Sequence, residues 1–153
     1  CEELASRIAG KLGVDSSDVL EAASISPEQL DGYQNLVLGT STWGAGELQD
    51  DWYDGIAVIK KTNLSGKTVA IFGCGDSESY SDTFCGAMAE LYNAAKDAGA
   101  NVIGSVSTEG YTFDDSDAVI DGKFIGLPLD EVNEDNKTDE RIDAWVSEIA
   151  PNL

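Results

Sequence analysis

The pattern of apolar and polar positions divides the chain into segments of two kinds. Residues 35–39 (NLVLG) and 67–73 (KTVAIFG) are short apolar runs bounded by turn residues, which is typical of strands buried on both faces. Residues 101–106 and 123–129 show the same kind of run. These segments predict strands, and the shorter mixed segment at residues 17–23 is a candidate for one more.

Apolar residues at helical spacing mark the stretches between these runs. The predicted helices are residues 1–12, a segment with Trp52 and Ile56–Ile59, residues 83–98, and a last segment after residues 138–140 that carries Ile142, Trp145 and Ile149. Gly13 and Gly99 follow two of them, as glycine commonly does at a helix C-terminus. Residues 26–28 (SPE) predict the start of one more helical turn, which ends near Tyr33.

The alternation of strands and helices predicts the fold class. We expect one α/β domain over residues 1–153, a three-layer sandwich in which helices cover both faces of a parallel sheet. Ligands of such sheets bind beyond the carboxyl ends of the strands. The segments that leave the two clearest strands, residues 39–49 and 73–83, are therefore the candidate binding loops.

Each candidate loop carries one aromatic residue among glycines and small polar residues. Trp43 stands in TSTWGAG and Tyr80 stands in GDSESYSD. Two aromatic rings presented at one sheet edge can bind a planar conjugated ring between them, and glycines let the main chain approach the ring edge. Trp52 and Trp145, in contrast, lie on apolar helix faces, so we expect both in the core.

The net charge and the amino-acid composition argue against several classes of function. The chain has 29 Asp plus Glu against 9 Lys plus Arg, a formal net charge of −20. Such a field repels nucleic acid and anionic membranes and favours encounter with basic proteins. Histidine is absent, so the Ser-His-Asp and Cys-His types of catalysis are excluded.

Cysteine usage and hydropathy indicate the compartment. Three cysteines without C-x-x-C spacing argue against a zinc site or a disulfide framework and fit a reducing environment. No apolar stretch approaches the roughly 20 residues that a bilayer span needs. We expect a cytoplasmic protein without a metal site.

Four stretches together resemble the long-chain flavodoxins, a family of FMN-dependent electron carriers. They are LVLGTSTWGAGELQDDW (36–52), SGKTVAIFGCGDSESYSDTFCGAM (65–88), STEGYTFDDSDAVIDGKFIGLPLD (107–130) and TDERIDAW (138–145). The third resembles the insertion that distinguishes long-chain from short-chain members. The resemblance implies a flavodoxin-like fold, non-covalently bound FMN, and no catalytic residue of the chain's own.

The resemblance also implies where FMN lies. Trp43 would stack on one face of the flavin and Tyr80 on the other, with Thr42 near the ribityl chain and Asp76 at the pyrimidine edge. The implied cofactor-binding residues are Thr40, Ser41, Thr42, Trp43, Gly44, Ala45, Gly46, Gly73, Cys74, Gly75, Asp76, Tyr80, Thr83, Cys85 and Asp130.

One part of the family pattern is not found. Flavodoxins carry a strand and a phosphate-binding loop ahead of the first helix, whereas this chain begins at Cys1 within that helix. The resemblance therefore implies an N-terminally truncated chain that lacks the central first strand and the phosphate loop. A helix N-terminus of that kind binds phosphate through its free N–H groups.

The expected function is transfer of single electrons at low potential between redox partner proteins, by a monomer. Like-charge repulsion from the acidic chain disfavours the fully reduced, anionic flavin, which lowers the potential. The expected partners are basic reductase-type donors and electron acceptors. They would dock on the carboxylates that flank both loops, which are Asp50, Asp51, Asp54, Glu78 and Asp82.

Two alternatives stay open. An FMN-dependent quinone reductase would need a nicotinamide and substrate site beside the flavin, and the acidic rim disfavours the phosphates of that cosubstrate. A flavin-free receiver-like signalling domain shares the strand order but needs an acceptor aspartate at a central strand end. Gly39 and Gly73 occupy those ends here.

Overall fold

The computed structural model describes residues 2–13, 26, 28, 32–43, 47–48, 51–75, 84–109, 111, 113–130 and 133–152. Its helices are α1 (Glu2–Leu12), α2 (Asp51–Lys61), α3 (Met88–Asp97) and α4 (Thr138–Ile149), with short 3-10 helices at Asp135–Lys137 and Ala150–Asn152. Its strands are β1 (Asn35–Trp43), β2 (Glu47–Leu48), β3 (Thr68–Cys74), β4 (Asn101–Ile103), β5 (Val106–Ser107), β6 (Val119–Ile120), β7 (Lys123–Phe124) and β8 (Leu127–Leu129).

The main sheet is organised around β3. Strand β1 pairs in parallel with the whole length of β3, with Asn35 opposite Thr68 and Ser41 opposite Cys74. The other side of β3 is shared by two short parallel strands: β4 pairs with its first half and β8 with its second half. Among the described residues, the far side of β1 pairs with β2, antiparallel, at Thr42 and Trp43.

Apolar side chains cover both faces of this sheet. On one face, α2 and α3 bury a cluster that includes Trp52, Ile59, Ile71, Met88 and Leu91. On the opposite face, α1 and α4 bury a cluster that includes Ile8, Phe72, Ile142, Trp145 and Ile149. The predicted three-layer α/β sandwich is thereby confirmed, and so is the placement of Trp52 and Trp145 in the core.

Strand β1 is longer than predicted. The sequence indicated a strand that ends at Gly39 and a loop from there to residue 49, but β1 continues to Trp43. Its last residues form a hairpin with β2, in which Thr42 is opposite Leu48 and Trp43 is opposite Glu47. Polar residues can extend a strand in this way because the hairpin partner satisfies their backbone groups.

Helix α3 begins later than predicted, at Met88 instead of Thr83. The backbone of Cys85 has φ of 52°, a left-handed conformation that a right-handed helix cannot include. The residues before the helix form a turn in which Met88 N–H donates to Cys85 O at 3.1 Å. This turn is also held to a distant part of the chain, since Phe84 N–H donates to Asp115 O at 3.3 Å. Gly99, with φ of 94°, follows the helix as predicted.

Two predicted strands are each divided between two sheets. Gly104, with φ of 86°, turns the chain out of the main sheet after β4, so the predicted strand 101–106 becomes β4 and β5. The predicted strand 123–129 likewise becomes β7 and β8. Strands β5, β7 and β6 form a separate small antiparallel sheet beside the predicted parallel one.

Two sequence predictions lie outside the described residues. They are the candidate strand at residues 17–23 and most of the helical turn between Ser26 and Tyr33. Within the described ranges, no helix has the length and apolar character that crossing a membrane requires. The same part of the chain shows no group of three or more His, Cys, Asp or Glu side chains placed to hold a metal ion.

Candidate functional site

Three strand ends meet at one edge of the main sheet. Ser41 on β1 is the register partner of Cys74 on β3, and Cys74 is the partner of Leu129 on β8. Neighbouring strands lie about 4.8 Å apart, so this strand-end row (Ser41, Cys74, Leu129) spans about 10 Å. The backbone of the predicted site residues at 40–43, 73–75 and 130 lies at or beside this row.

Residues 40–51, which we call the first candidate segment, begin inside β1 after Gly39 and end at Asp51 in the first turn of α2. The indole Nε1–H of Trp52 donates a hydrogen bond to Gly39 O at 2.6 Å. We call this pair the first stem. Gly39 fits tightly, because a Cβ there would lie 2.1 Å from Cζ of Phe72. The next residue, Thr40, is fully buried.

The second candidate segment begins at Gly75, and its two ends meet at a single carbonyl. Gly75 N–H donates to Leu129 O at 2.9 Å, and the Cys85 thiol points at the same oxygen, with Sγ 3.9 Å away. We call these three residues the second stem. A Cβ on Gly75 would lie 2.9 Å from the backbone nitrogen of Cys85, so the two ends are in close contact.

Cys85 contributes packing at the second stem. Its side chain is fully buried, and burial raises the pKa of the thiol far above its usual value. A thiol that stays protonated is a poor nucleophile, so burial makes Cys85 a packing residue here. Its implied contact with FMN stays a prediction.

Asp130 follows the row on β8 and is fully buried. Its Oδ1 accepts a hydrogen bond from Asn133 N–H at 2.9 Å, and its Oδ2 accepts one from Asn133 Nδ2 at 3.0 Å. Its backbone carbonyl accepts Glu134 N–H at 3.0 Å. The residue therefore fixes the turn after β8, and the ribityl contact implied for it stays a prediction.

A polar cluster that the sequence did not predict is hydrogen-bonded to β8. The Tyr111 hydroxyl donates to Pro128 O at 2.9 Å, and the Arg141 guanidinium stacks 3.9 Å from the centroid of the Tyr111 ring. Glu134 bridges Arg141 at 3.2 Å and Lys137 at 2.9 Å. We call these four side chains the Tyr111 cluster. No spacing in the sequence links them, since their contacts join Tyr111 to α4 and to the residues just before it.

Desolvation and hydrogen bonding act in opposite directions on Glu134. Desolvation raises the pKa of this carboxyl, but the hydrogen bonds from Lys137 and Arg141 outweigh it and hold the pKa below its usual value. A groove of about 470 Å³ lies beside the cluster, against Tyr111, Arg141 and Trp145. None of the predicted cofactor residues that the structure describes lines this groove.

Several predicted site residues are not placed by the structure. Gly44, Ala45, Gly46, Asp76, Tyr80 and Thr83 lie outside the described residues. For Ser41, Thr42 and Trp43 the strand backbone is described but the side chains are not. The stacking of a flavin between Trp43 and Tyr80 therefore stays a prediction.

Comparison with known proteins decides the family. The family model for flavodoxin matches residues 1–145 of the chain. The chain belongs to the flavodoxin family. Flavodoxin 1 of Azotobacter vinelandii is 42% identical over 149 residues, which cover 95% of this chain and 86% of that protein. A flavodoxin of Trichodesmium erythraeum is 44% identical over 153 residues, with 97% and 88% of the two chains covered.

The solved structures agree with the flavodoxin assignment. The crystal structure of Fusobacterium nucleatum flavodoxin bound to flavin mononucleotide superposes with a TM-score of 0.87 at 29% sequence identity. The superposition covers 99% of this chain and 90% of that one. Both the family and the flavodoxin fold that the four sequence stretches predicted are thereby confirmed.

Proposed function

We propose that this flavodoxin binds FMN non-covalently and carries single electrons at low potential between redox proteins. The observation that carries the proposal is the strand-end row, where Ser41, Cys74 and Leu129 lie side by side. The row brings the two candidate segments, predicted to hold Trp43 and Tyr80, to one edge of the sheet. Family membership and the FMN-bound flavodoxin of similar structure support the same conclusion.

The residues at the row fit a flavin ring. Thr40 and Asp130 are fully buried, so the described groups that can face a polar ring edge are the half-buried Cys74 side chain and the main chain at Ser41 and Gly75. Residues 39–49 and 73–85 contain no Lys or Arg, so they favour the neutral ring over the phosphate. We assign the phosphate to a helix N-terminus or a backbone nest instead.

FMN, when bound, supplies the redox chemistry, and the protein sets its potential. The chain's own residues bind and orient the ring, and they exclude water from its two faces by stacking. No histidine is present to exchange protons with it. The net charge of −20 opposes addition of further negative charge, and each 1.36 kcal/mol of such repulsion lowers a one-electron potential by about 60 mV.

The finer family type also belongs to this proposal. We assign the chain to the long-chain flavodoxins because residues 105–126, between β4 and β8, contain the small β5–β7–β6 sheet. We expect a monomer that docks basic reductases and acceptors on the carboxylates flanking the loops. The three cysteines without C-x-x-C spacing favour a reducing compartment, so we place this exchange in the cytoplasm.

An FMN titration tests the proposal. The 153-residue chain and a version extended by a strand and phosphate loop at the N-terminus are titrated with FMN and with riboflavin, with flavin fluorescence quenching as the signal. We expect the extended chain to prefer FMN and the shorter chain to bind both flavins about equally. Absence of flavin binding by both chains would overturn the proposal.

A redox titration of the FMN complex then separates carrier from enzyme. We expect two resolved one-electron potentials, the second of them low, and no turnover of quinones with NADPH.

Trp43→Ala and Tyr80→Ala each remove one stacking surface, so each should weaken flavin binding about 3- to 10-fold. If both variants bind like the wild type, the stacking part of the proposal is wrong.

A further inference from the structure

The groove of about 470 Å³ beside the Tyr111 cluster lies between α4 and β5. The half-buried Val106 and Tyr111 and the exposed Ala144 give it apolar walls. Below them lie Leu127 of β8 and Trp145 of α4, which are buried. The described residues predicted to bind FMN lie at the strand-end row instead, so the cofactor does not account for this groove.

Three carboxylates stand at the rim of the groove. Glu140 and Glu148 belong to α4, and Glu109 follows β5 on the other side. All three residues are exposed. We call them the rim carboxylates. A groove with apolar walls and a negative rim fits a ligand that is apolar along its length and positive at its end.

The two cations beside the rim are already bound to another carboxylate. Glu134 forms ion pairs with Lys137 at 2.9 Å and with Arg141 at 3.2 Å. The Arg141 guanidinium also stacks 3.9 Å from the centroid of the Tyr111 ring. Together with the rim, four carboxylates stand against two cations here, in a chain of net charge −20. The groove therefore attracts positive groups.

We propose that this groove docks an arginine side chain of a basic redox partner protein. The methylene stem of the arginine would lie on Val106 and Ala144, and its guanidinium would reach the carboxylates of Glu109 and Glu140. Arginine fits better than lysine, because its planar head can hydrogen-bond to two carboxylate oxygens at once. The inference rests on the proposed function, since it names a contact made by the basic partners of the electron carrier.

Other occupants fit the groove less well. The described residues show no group of side chains placed to hold a metal ion. Nucleic acid and anionic membranes are repelled by a negative rim. A second copy of this chain, with 29 acidic against 9 basic residues, would bring the same negative charge. A basic protein is the macromolecule whose charge complements this surface.

The groove lies close enough to the strand-end row for one partner to contact both. Leu127 is two residues before Leu129 on β8, which is about 7 Å along the strand. An interface of ordinary size buries about 800 Å² on each protein and is far wider than that separation. An arginine held in the groove would thus fix the orientation of a partner that covers the flavin edge.

A peptide titration tests whether the groove binds arginine. The probes are acetyl-Gly-Arg-Gly-amide and the same peptide with citrulline, which has the shape of arginine without its charge. The indole N–H signals of Trp145, below the groove, and Trp52, outside it, are followed by NMR on the 153-residue chain without FMN. Salt at 150 mM screens long-range attraction.

We expect the arginine peptide to shift the Trp145 signal with a dissociation constant of about 1–10 mM and to leave the Trp52 signal unchanged. The citrulline peptide should bind at least about fivefold more weakly, because it forms no ion pair with the rim. Equal binding of the two peptides, or equal shifts of the two tryptophans, would overturn the proposal.

A pair of double variants separates the rim from net charge. Glu109→Gln with Glu140→Gln removes two rim carboxylates at nearly unchanged side-chain size. Glu90→Gln with Asp97→Asn removes two exposed carboxylates of α3 that do not line the groove. The rim variant should weaken binding of the arginine peptide about 3- to 10-fold, as the loss of two exposed ion pairs, and the α3 variant less than about twofold. Equal weakening by both would show that net charge alone attracts the peptide.

Electron transfer to a basic c-type cytochrome tests the role of the groove in partner docking. The second-order rate constant for reduction of the cytochrome by the reduced FMN complex is measured at low salt. The rim variant should lower it about 3- to 10-fold with unchanged flavin potentials, and the α3 variant by less than about twofold. Equal rates of the two variants would overturn the partner role. If no FMN is bound, the proposed function fails, whereas the peptide titration still decides whether the groove binds arginine.

Discussion

The two candidate segments are closed at their bases by different means. At the first stem a side chain forms the closure, with the Trp52 indole N–H on Gly39 O. At the second stem the main chain does so, with Gly75 N–H on Leu129 O and the Cys85 thiol as a weaker addition. A side-chain closure depends on one residue type, whereas a main-chain closure depends on the shape of the backbone.

The two stems are therefore opened by different kinds of substitution. The first stem is opened by removal of a donor, as in Trp52→Phe. The second is opened only when the backbone is pushed apart, because its principal donor and its acceptor belong to the main chain. The left-handed Cys85, with φ of 52°, and the close approach of Gly75 are what give that backbone its shape.

The largest expected effect is at Gly39, where crowding would disturb the first stem from the acceptor side. In Gly39→Ala the new Cβ would lie 2.1 Å from Cζ of Phe72, and that ring is itself packed edge-on against Trp145 at 6.4 Å. Relief requires movement of β1 or of both rings, so we expect a loss of about 3 kcal/mol in the free energy of unfolding. Urea unfolding of the flavin-free chain measures it.

Gly10 is the matched control for Gly39. It lies within α1, and a Cβ there would meet nothing within 4 Å. Gly10→Ala should therefore raise the free energy of unfolding by about 0.5–1 kcal/mol, through helix propensity alone. A Gly39→Ala variant as stable as Gly10→Ala would show that the Phe72 contact relaxes freely.

A smaller effect is expected at the second stem. In Gly75→Ala the new Cβ would lie 2.9 Å from Cys85 N and 3.0 Å from Cys85 Sγ. We expect a loss of about 2 kcal/mol in the free energy of unfolding, with a change in FMN affinity as the segment is displaced. Adding Cys85→Ala removes the sulfur contact but not the backbone contact. The double variant should thus regain only part of the loss, and full recovery would show that the main chain does not set this stem.

The smallest effect is expected in the Tyr111 cluster, which acts on the second stem through Pro128. The lowered pKa of Glu134 means that the cluster contributes stability above the unfolded-state value of about 4.3 and loses it as the pH falls through the lower folded value. Glu134→Gln should reduce stability at pH 7 by at most about 1 kcal/mol, since the ion pairs are partly solvated.

The pH dependence distinguishes this contribution from packing. The difference in unfolding free energy between wild type and Glu134→Gln should shrink as the pH is lowered below about 4, because the wild-type carboxyl then becomes protonated as well. Urea unfolding at several pH values measures it. A difference that stays constant to pH 3 would mean that the side chain packs without a charge-dependent role.

The sequence predicted the elements whose burial leaves a regular pattern. Strand β3 and helices α2 and α4 were predicted because apolar spacing records which face is covered. The split of residues 101–107 between β4 and β5 was missed, since the left-handed turn at Gly104 leaves no periodic signal. The start of α3 was missed for the same reason at Cys85.

The location of the candidate site was predictable from the sequence, but the hydrogen bonds of its two stems were not. The meeting of residues 41, 74 and 129 follows from parallel topology, which the alternation of elements already indicated. The stems did not follow, because a hydrogen bond from Trp52 to Gly39 gives no sign in a helix whose apolar face already accounts for the tryptophan. A residue assigned to the core by its spacing can thus also donate a hydrogen bond that joins a helix to a neighbouring strand.

The strand-end row has a consequence for the order in which the protein is made. Its three members, Ser41, Cys74 and Leu129, come from widely separated parts of the chain and are neighbours only in register. A ribosome that has not yet translated through residue 129 has not produced the third of them. The edge of the sheet that would receive the flavin is therefore completed only when β8 has been synthesised, later than β1 and β3.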